Sequence, residues 1–269
     1  MPIVELSQSA LAPGLAPVPI HYRRQGTGFP LVFLHGGWGY AVYPLDAALP
    51  ALERDFTMLM PDRSGFGRSA HLERFTLPLH PAAVDETLRF LDALGLERCA
   101  LWGHSDGAVI AANLALAAPQ RVAALVLEAL HFDRHKAGSR EFFLGLFDPG
   151  RLDARTLLAL VEDHGEDYWP QVVEMESRAW GTILAGADSP EGDLYGGRLA
   201  ELSVPTLVLH GSADPRTEPG ELLAVRALLP RARFHVVPGA KHSPHSERGS
   251  ADESARVIRE FLLASLSAA

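Results

Sequence analysis

The residues best suited to chemistry lie in a Gly-x-Ser-x-Gly pentapeptide that runs from Gly103 to Gly107 with Ser105 at its centre. An apolar run, residues 99–102, precedes it, and an alanine-rich run, residues 108–118, follows it. This order predicts a strand, a sharp turn and a helix, with the serine exposed at the turn and the glycines giving the backbone room. A serine held in this way is typical of a nucleophile, although a chain with 24 glycines can contain the pentapeptide by chance.

Two later turns offer the partners that a serine nucleophile needs, since serine attacks only when a neighbouring base takes its proton. His242 follows the predicted strand at 234–237 and is the candidate base. Asp214 follows the predicted strand at 204–210 and is the candidate acid that orients the imidazole. These three residues are the expected catalytic set.

Two further polar residues leave alternatives open. Glu128 ends the predicted strand at 122–127 and is either a rival to Asp214 as the acid or a substrate-binding residue. His245 lies three positions after His242 and is a candidate polar contact for the substrate.

The elements that must position these residues alternate between short apolar runs and amphipathic helical segments. Runs of this kind are typical of strands buried on both faces, so the chain predicts an α/β fold with a mostly parallel, doubly wound sheet. Ligands bind outside the carboxyl ends of such strands. Polar or glycine-rich turns follow the runs at 35–39, 62–69, 103–107, 210–215 and 239–245.

The alternation of strand and helix patterns stops in residues 131–200, where no strand pattern appears. We expect a helical cap domain here, inserted after the sixth strand of a core domain formed by residues 1–130 and 201–269. Predicted helices of this insert cover 138–147, 153–164 and 168–185.

The insert (residues 131–200) is acidic and rich in large side chains. It carries 13 Asp or Glu against 7 Lys or Arg, so we expect it to disfavour polyanionic substrates unless Arg63 or an arginine of the insert turns inward. Its aromatic residues can form its own small core, and some should line the substrate cleft. The candidates are Phe142, Trp169 and Trp180.

Weaker patterns concern the periphery of the predicted core. Residues 1–17 contain three prolines and predict a loose lead-in, and residues 18–22 predict an edge strand. Residues 44–53 predict a helix that begins with proline.

Composition excludes several classes of protein. The net charge is −9 with no basic run, which argues against nucleic acid or an anionic membrane as partner. There is one cysteine, Cys99, which predicts a buried hydrophobe in a reducing cytoplasm. No signal peptide, membrane span or phosphate-binding loop is apparent.

We expect no metal and no cofactor. The spacing His131-x-x-x-His135 would suit a metal on a helix face, but no third ligand lies within reach in the sequence. The expected partner is a small-molecule substrate, and the sequence allows a homodimer without predicting one.

The chain from about residue 20 to its end resembles the α/β-hydrolase-fold serine hydrolases that carry an inserted helical cap. The resemblance rests on five motifs in order: His35-Gly36-Gly37-Trp38-Gly39, Asp62-Arg63-Ser64-Gly65-Phe66-Gly67-Arg68-Ser69, the Ser105 turn, Gly211-Ser212-Ala213-Asp214-Pro215 and Gly239-Ala240-Lys241-His242. It implies the order nucleophile, acid, histidine for Ser105, Asp214 and His242.

The oxyanion that forms during attack on a carbonyl needs two N–H donors. The amide of Asp106, directly after the nucleophile, is one candidate. The resemblance makes Gly37 the second, with Trp38 as the alternative, and the Trp38 ring could instead wall the acyl pocket.

These observations predict a cofactor-free hydrolase that cleaves a carboxylic ester, a lactone or a related acyl bond of a small, fairly apolar substrate. Alternatives are a carbon–carbon bond hydrolase of aromatic-ring cleavage products, an iminopeptidase, and a non-enzymatic receptor that uses the same pocket. Haloalkane dehalogenases and epoxide hydrolases of this fold use an aspartate nucleophile, whereas this chain has Ser105 at that position.

Overall fold

The computed structural model describes residues 2–145, 148–186 and 192–267. Its strands are β1 (Ile3–Leu6), β2 (Val18–Gln25), β3 (Phe29–Leu34), β4 (Phe56–Pro61), β5 (Cys99–His104), β6 (Val122–Glu128), β7 (Thr206–Gly211) and β8 (Arg233–Val237). Its helices are α1 (Leu49–Leu52), α2 (Leu79–Ala93), α3 (Asp106–Ala117), α4 (Arg140–Gly145), α5 (Ala154–His164), α6 (Trp169–Ala185), α7 (Glu221–Leu228) and α8 (Ala251–Ser267). Within those residues, no helix has the length and apolar character needed to cross a bilayer.

The strands form one eight-stranded sheet in the order β1-β2-β4-β3-β5-β6-β7-β8. The pairs β1–β2 and β2–β4 are antiparallel, while every other pair is parallel. The mostly parallel sheet predicted from the sequence is therefore confirmed. Because β3, β5, β6, β7 and β8 run in one direction, their carboxyl ends meet at one edge.

Helices cover both faces of the sheet, as the doubly wound prediction requires. Alternate residues of β3 point to opposite faces: Val32 and Leu34 belong to the apolar core that contains α2 and α3, and Leu31 and Phe33 belong to the core that contains α1 and α8. The sheet is thus buried on both sides, which explains the continuous apolar runs.

Two predictions for the N-terminal region are wrong. Residues 3–6 of the supposed lead-in form β1, and the strand predicted at 18–22 extends to Gln25 and lies inside the sheet, between β1 and β4. The physical reason is that β1 is held mainly by its backbone ladder with β2: only one of its four residues is buried, so it leaves no apolar pattern.

The helix predicted at 44–53 is also shorter than expected, since α1 begins only at Leu49. Pro50 is the reason. Inside a longer helix its ring would clash with the carbonyl of Asp46 and it could not donate a hydrogen bond, whereas a proline is tolerated in the first turn.

The insert contains α4, α5 and α6, within two residues of the predicted bounds, and residues 146–147 of the first predicted helix lie outside the described residues. Its described residues form no strand beyond an isolated bridge between Asp133 and Asp193. It meets the carboxyl edge of the sheet through α5, where Nε2 of His164 donates to the carbonyl of Trp38 at 2.8 Å. That the insert is a cap domain of its own stays a prediction.

Candidate active site

Ser105 sits at the turn between β5 and α3 with φ at 56°, a left-handed conformation that a residue with a side chain rarely adopts. Glycine is required around it. A Cβ on Gly107 would collide with the carbonyl of Leu34, and a Cβ on Gly103 would collide with the backbone of the following helix. The sequence Gly-x-Ser-x-Gly therefore folds into the strained strand-turn-helix that its pattern predicts.

The structure brings Ser105, His242 and Asp214 into one chain of hydrogen bonds. Nε2 of His242 lies 3.0 Å from Oγ of Ser105, and Nδ1 lies 2.8 Å from Oδ2 of Asp214. The other carboxylate oxygen, Oδ1, accepts the backbone N–H of Arg216 at 2.9 Å. All three side chains are almost fully buried, with Ser105 only 4% exposed and the carboxylate of Asp214 1% exposed, so the chain of contacts is shielded from water.

The protonation states suit proton transfer from the serine. Burial, with the nearby Arg216 cation, lowers the pKa of His242 to about 4, against the opposing influence of Asp214. Burial of Asp214 favours its neutral form, but hydrogen bonding and charge interaction with His242 outweigh this and lower its pKa. At neutral pH the pair is therefore a carboxylate and a neutral imidazole, and that imidazole can accept a proton.

Glu128 and His245 form a second carboxylate–imidazole pair beside the first. Oε1 of Glu128 lies 2.9 Å from Nδ1 of His245 and accepts its backbone N–H at 3.0 Å, while Oε2 accepts from Nε1 of Trp102 at 2.9 Å. Nε2 of His245 lies 3.0 Å from the carbonyl of Tyr43. Every polar atom of the pair is used within the protein and neither side chain is exposed. This arrangement does not support the prediction that Glu128 and His245 contact substrate, which stays untested. Glu128 also does not face His242.

The turn at 35–39 lies directly against the nucleophile, since a Cβ on Gly36 would be 3.0 Å from Cβ of Ser105. Arg63 is buried beneath this turn and donates to the carbonyls of His35 and Gly36. Because a trans peptide directs its C=O and N–H oppositely, the N–H of Gly37 points away from that guanidinium. Arg63 has turned inward, and its hydrogen bonds brace the turn.

The indole of Trp38 faces a cavity of about 340 Å³ between the turn at 35–39 and the insert. Phe142, Tyr43 and Arg216 line it as well, and the guanidinium of Arg216 lies 4.2 Å from the centre of the Phe142 ring. Trp169 packs against the apolar cluster that contains Trp38. Two of the predicted substrate contacts, Trp38 and Phe142, thus line an open cavity, while Trp169 supports it.

Trp180, also predicted to contact substrate, is 2% exposed and stacks on Phe143 with ring centres 4.1 Å apart. Its Nε1 donates to Oδ2 of Asp106 at 3.2 Å. The other carboxylate oxygen of Asp106, Oδ1, lies 3.0 Å from Nε2 of His80. The side chain of Asp106 is thereby fixed away from the nucleophile, and its backbone N–H begins α3, where helix N–H groups lack a partner in their own helix.

Glu176, on α6, is a buried carboxyl near the same turn that sequence reasoning missed. Neither of its oxygens has a hydrogen-bond partner among the described residues. Burial, followed by repulsion from Asp106, raises its pKa to about 8, against the attraction of Arg63. A Cβ on Gly37 would lie 3.4 Å from its Oε2. A neutral acid that has no hydrogen-bond partner in the described part of the chain therefore lies beside the turn that faces Ser105.

His131 is the second residue that sequence reasoning missed, because its spacing to His135 suggested only a weak metal pattern. Its Nε2 lies 3.2 Å from Oγ of Ser105, and its ring is nearly parallel to that of His242, 5.6 Å between centres. His131 follows the end of β6 by three residues, so its position at the carboxyl edge of the sheet was the available signal.

Comparison with known proteins agrees with the fold described above. Residues 30–148 match the protein-family model described as alpha/beta hydrolase fold. The serine hydrolase BPHL of Mus musculus is 26% identical over 91% of this chain and 83% of its own length, and the proline iminopeptidase of Heyndrickxia coagulans is 25% identical over 90% and 93%.

A thermophilic esterase from Thermogutta terrifontis superposes with a TM-score of 0.71 at 22% identity, covering 98% of this chain and 99% of that one. At this level of identity the likeness concerns the fold. With the sheet described above, the family match shows that the chain has the α/β-hydrolase fold. Over nearly its whole length the chain is similar to hydrolases.

Proposed function

We propose that the protein is a cofactor-free serine hydrolase that cleaves a carboxylic ester, a lactone or a related acyl bond through an acyl-serine intermediate. One observation carries the proposal: Oγ of Ser105, Nε2 of His242 and Oδ2 of Asp214 are linked by contacts of 3.0 and 2.8 Å at the carboxyl edge of the sheet. Nucleophile, base and orienting acid are thus within hydrogen-bond reach before any substrate binds.

In the first half-reaction, Oγ of Ser105 attacks the carbonyl carbon while Nε2 of His242 takes the hydroxyl proton. The imidazolium that forms is stabilised by Asp214 and returns the proton to the leaving group. In the second half, water attacks the acyl-serine with His242 again as base, which releases the acid and restores the serine hydroxyl.

The oxyanion would be stabilised by the N–H groups of Asp106 and Gly37. Asp106 opens α3, so its N–H also carries the positive end of the helix dipole. The bond from Arg63 to the carbonyl of Gly36 turns the Gly37 N–H away from the guanidinium, which is compatible with Gly37 as the second donor. Removing one such donor typically costs about 10²- to 10³-fold in rate.

The insert would act as a cap that selects the substrate. The cavity of about 340 Å³ beside Trp38 has aromatic walls from Tyr43 and Phe142, which suits a small and fairly apolar group. Two acids and two arginines also line this cavity, so its charges balance and give no preference against an anionic group: Glu141, Asp153, Arg151 and Arg216.

A fluorophosphonate probe tests the proposal, since it forms a covalent bond with an activated serine. We expect one adduct per wild-type chain, located on Ser105 by peptide mass spectrometry, and none on Ser105→Ala. Ser254→Ala is the matched control, because this buried serine lies on α8 at a distance from the site; it should react like the wild type. An unlabelled wild type, or a labelled Ser105→Ala, would overturn the proposal.

A second candidate, an iminopeptidase, is favoured by Glu176. A substrate ammonium group would supply the ionic partner that its buried carboxyl lacks among the described residues, and such a group would convert the acid to its charged form. The site would then hydrolyse an amide of an N-terminal residue through the same serine.

Activity on prolyl p-nitroanilide, compared with p-nitrophenyl esters, lactones and ring-cleavage products, separates these candidates. If the amine is recognised, Glu176→Gln should raise the KM for prolyl p-nitroanilide more than about tenfold and leave p-nitrophenyl acetate unchanged. Glu174→Gln is the matched control, because Glu174 is exposed on the same helix and pairs with Arg178. Equal loss on both substrates would exclude amine recognition by Glu176.

A further inference from the structure

Oγ of Ser105 has two imidazole neighbours, and the mechanism above uses only one. Nε2 of His242 lies at 3.0 Å and Nε2 of His131 at 3.2 Å. The two rings are tilted by only 16° to each other. The hydroxyl oxygen therefore lies within hydrogen-bond reach of both nitrogens.

The fold holds His131 in this place by several independent contacts. Directly after β6 the backbone turns sharply, because Ala129 has φ at 50°, a strained conformation of the kind that clusters at functional sites. The carbonyl of His131 accepts the hydroxyl of Tyr195 at 2.7 Å. The ring meets the edges of Phe143 and Trp180, at 5.6 and 5.4 Å between centres, so both backbone and ring are fixed.

The number of hydrogens available at Oγ of Ser105 decides whether His131 donates or accepts a hydrogen bond there. Asp214 binds Nδ1 of His242, which leaves Nε2 of that ring as an acceptor for the single proton of the serine hydroxyl. A second acceptor at Oγ would compete for this proton, whereas a donor would not. All three groups have a hydrogen-bond partner when Nε2 of His131 carries a hydrogen and donates it to Oγ, while the hydroxyl of Ser105 donates to His242.

His131 is also held neutral. Burial lowers its pKa well below the ordinary value, and the cations and imidazoles around it, Lys136, His242, Arg216 and His210, act in the same direction. A neutral imidazole carries one N–H, and it does not repel the imidazolium that forms on His242 during the reaction.

We propose that His131 is a catalytic residue that donates its Nε2–H to Oγ of Ser105, directing the serine proton to His242 and stabilising Oγ as it leaves the acyl-serine. The inference rests on the proposed serine mechanism and adds a donor to it. Its largest effect falls on hydrolysis of the acyl-serine, because there the negative charge returns to Oγ.

The bonds change as follows in that step. A water oxygen bonds to the acyl carbon, and the water proton passes to Nε2 of His242. The C–Oγ bond then breaks, and its electron pair stays on Oγ. The proton on His242 moves to Oγ, while His131 keeps its own proton and only donates a hydrogen bond. The acid product and the free serine result, with no other reactant needed.

Three variants test this role with p-nitrophenyl acetate in stopped-flow. His131→Phe fills the ring's place without a donor, and His131→Leu is a smaller substitute if the first does not fold. His131→Gln keeps an N–H donor at similar reach but cannot act as a base. His135→Gln is the control, because His135 is exposed four residues away. Active sites are counted by complete reaction with a fluorophosphonate.

Loss of the donor in His131→Phe or His131→Leu should lower kcat about 10²-fold. The p-nitrophenolate burst should then approach one per active site, and kcat/KM should fall less than about tenfold. His135→Gln should stay near the wild type, and His131→Gln should recover most of the kcat that the Phe and Leu variants lose. Three results would overturn the role: an unchanged kcat, an equal fall in kcat and kcat/KM without a burst, or a Gln variant as slow as the Phe variant.

Failure of this inference can be told apart from failure of the serine mechanism. If wild-type protein does not react with the fluorophosphonate, the acyl-serine mechanism itself is wrong. If wild-type protein reacts and turns over, and the variants without a donor do the same, only the role of His131 is lost.

Discussion

Two carboxylate–imidazole pairs lie side by side in this protein, and only one of them faces a serine. Asp214–His242 and Glu128–His245 have nearly the same length, 2.8 and 2.9 Å, and both use Nδ1 of the imidazole. The difference lies at the other nitrogen. Nε2 of His242 faces Oγ of Ser105, whereas Nε2 of His245 lies against the backbone carbonyl of Tyr43.

The two histidines also differ in their protonation. Burial and Arg216 lower the pKa of His242, while the pKa of His245 is raised because Glu128 outweighs the opposing effect of burial. One pair holds a neutral imidazole that can take a proton, and the other holds a charged imidazole whose hydrogens are both engaged. A buried acid–histidine pair is therefore a base in one setting and an internal ion pair in the other.

Neutralising each acid in turn tests most directly whether the two pairs differ in their role in catalysis. Asp214→Asn should lower kcat about 10⁴-fold, because an amide no longer holds His242 in the required tautomer or stabilises its cation. Glu128→Gln should change kcat far less, since its partner does not touch the serine. Steady-state rates on an ester, normalised to active sites, measure both. A loss of similar size in Glu128→Gln would mean that the second pair takes part in the chemistry.

Stability should show the opposite order. Glu128→Gln leaves a buried imidazolium without its carboxylate and should cost about 3 kcal/mol, as the loss of one partner of a buried pair does. Because the pKa of His245 is raised in the folded state, this contribution is fully present below its unfolded pKa and is lost as the pH rises through the folded value. Urea unfolding at pH 6 should show the full loss.

Asp214→Asn is the control for that measurement, because asparagine can still accept the backbone N–H of Arg216. It should cost less than Glu128→Gln at the same pH. If the two variants are equally stable, the second pair is not an ion pair in the folded protein.

The sequence predicted the first pair but not the second. Asp214 and His242 each follow a buried strand in a turn whose motif is specific, so their meeting at one edge of a parallel sheet follows from the fold. Glu128 and His245 are 117 residues apart, and nothing in either local pattern indicates that both side chains turn inward. Such pairing depends on how the turn after β8 packs over β5 and β6, which a single sequence does not reveal.

The other agreements and differences between the predicted and the observed structure have similar causes. Long amphipathic segments such as α5 and α6 were predicted within a residue or two, because their periodicity is strong. β1 was missed because backbone pairing holds it. The sequence around Glu176 is typical of a surface acid of α6, and His131 follows β6, whose end has no glycine-rich turn. The burial of both residues at the site therefore depends on tertiary packing.

Glu176 is another buried carboxyl, and among the described residues no imidazole pairs with it. It therefore shows how a buried acid behaves without the partner that Asp214 and Glu128 have. Burial raises its pKa to about 8, so the folded protein holds a proton there that the unfolded chain releases near pH 4.5. The resulting stability is present below the unfolded pKa and is lost as the pH rises through the folded one. Between pH 5 and pH 8 this amounts to roughly 3 kcal/mol.

Glu176→Gln should remove that dependence, because an amide does not titrate. Urea unfolding of both proteins should give similar stability near pH 5 and a variant that is the more stable of the two at pH 8. Glu174→Gln, on the exposed part of the same helix, should follow the wild type. Parallel curves for the wild type and Glu176→Gln would mean that Glu176 is ionised in the folded protein.

The smallest expected effect is a near absence of change in activity with pH. His242 must be neutral to take the serine proton, and its pKa of about 4 leaves it neutral throughout mildly acidic solution. Between pH 7.5 and pH 5.5, kcat/KM should therefore change less than about twofold, with the acid limb near pH 4. Intrinsic fluorescence recorded at each pH separates this limb from unfolding. An acid limb at or above pH 6.5 in folded protein would mean that His242 resembles His245, with its carboxylate holding a proton on the imidazole. The contrast between the two pairs would then lie only in what their second nitrogens touch.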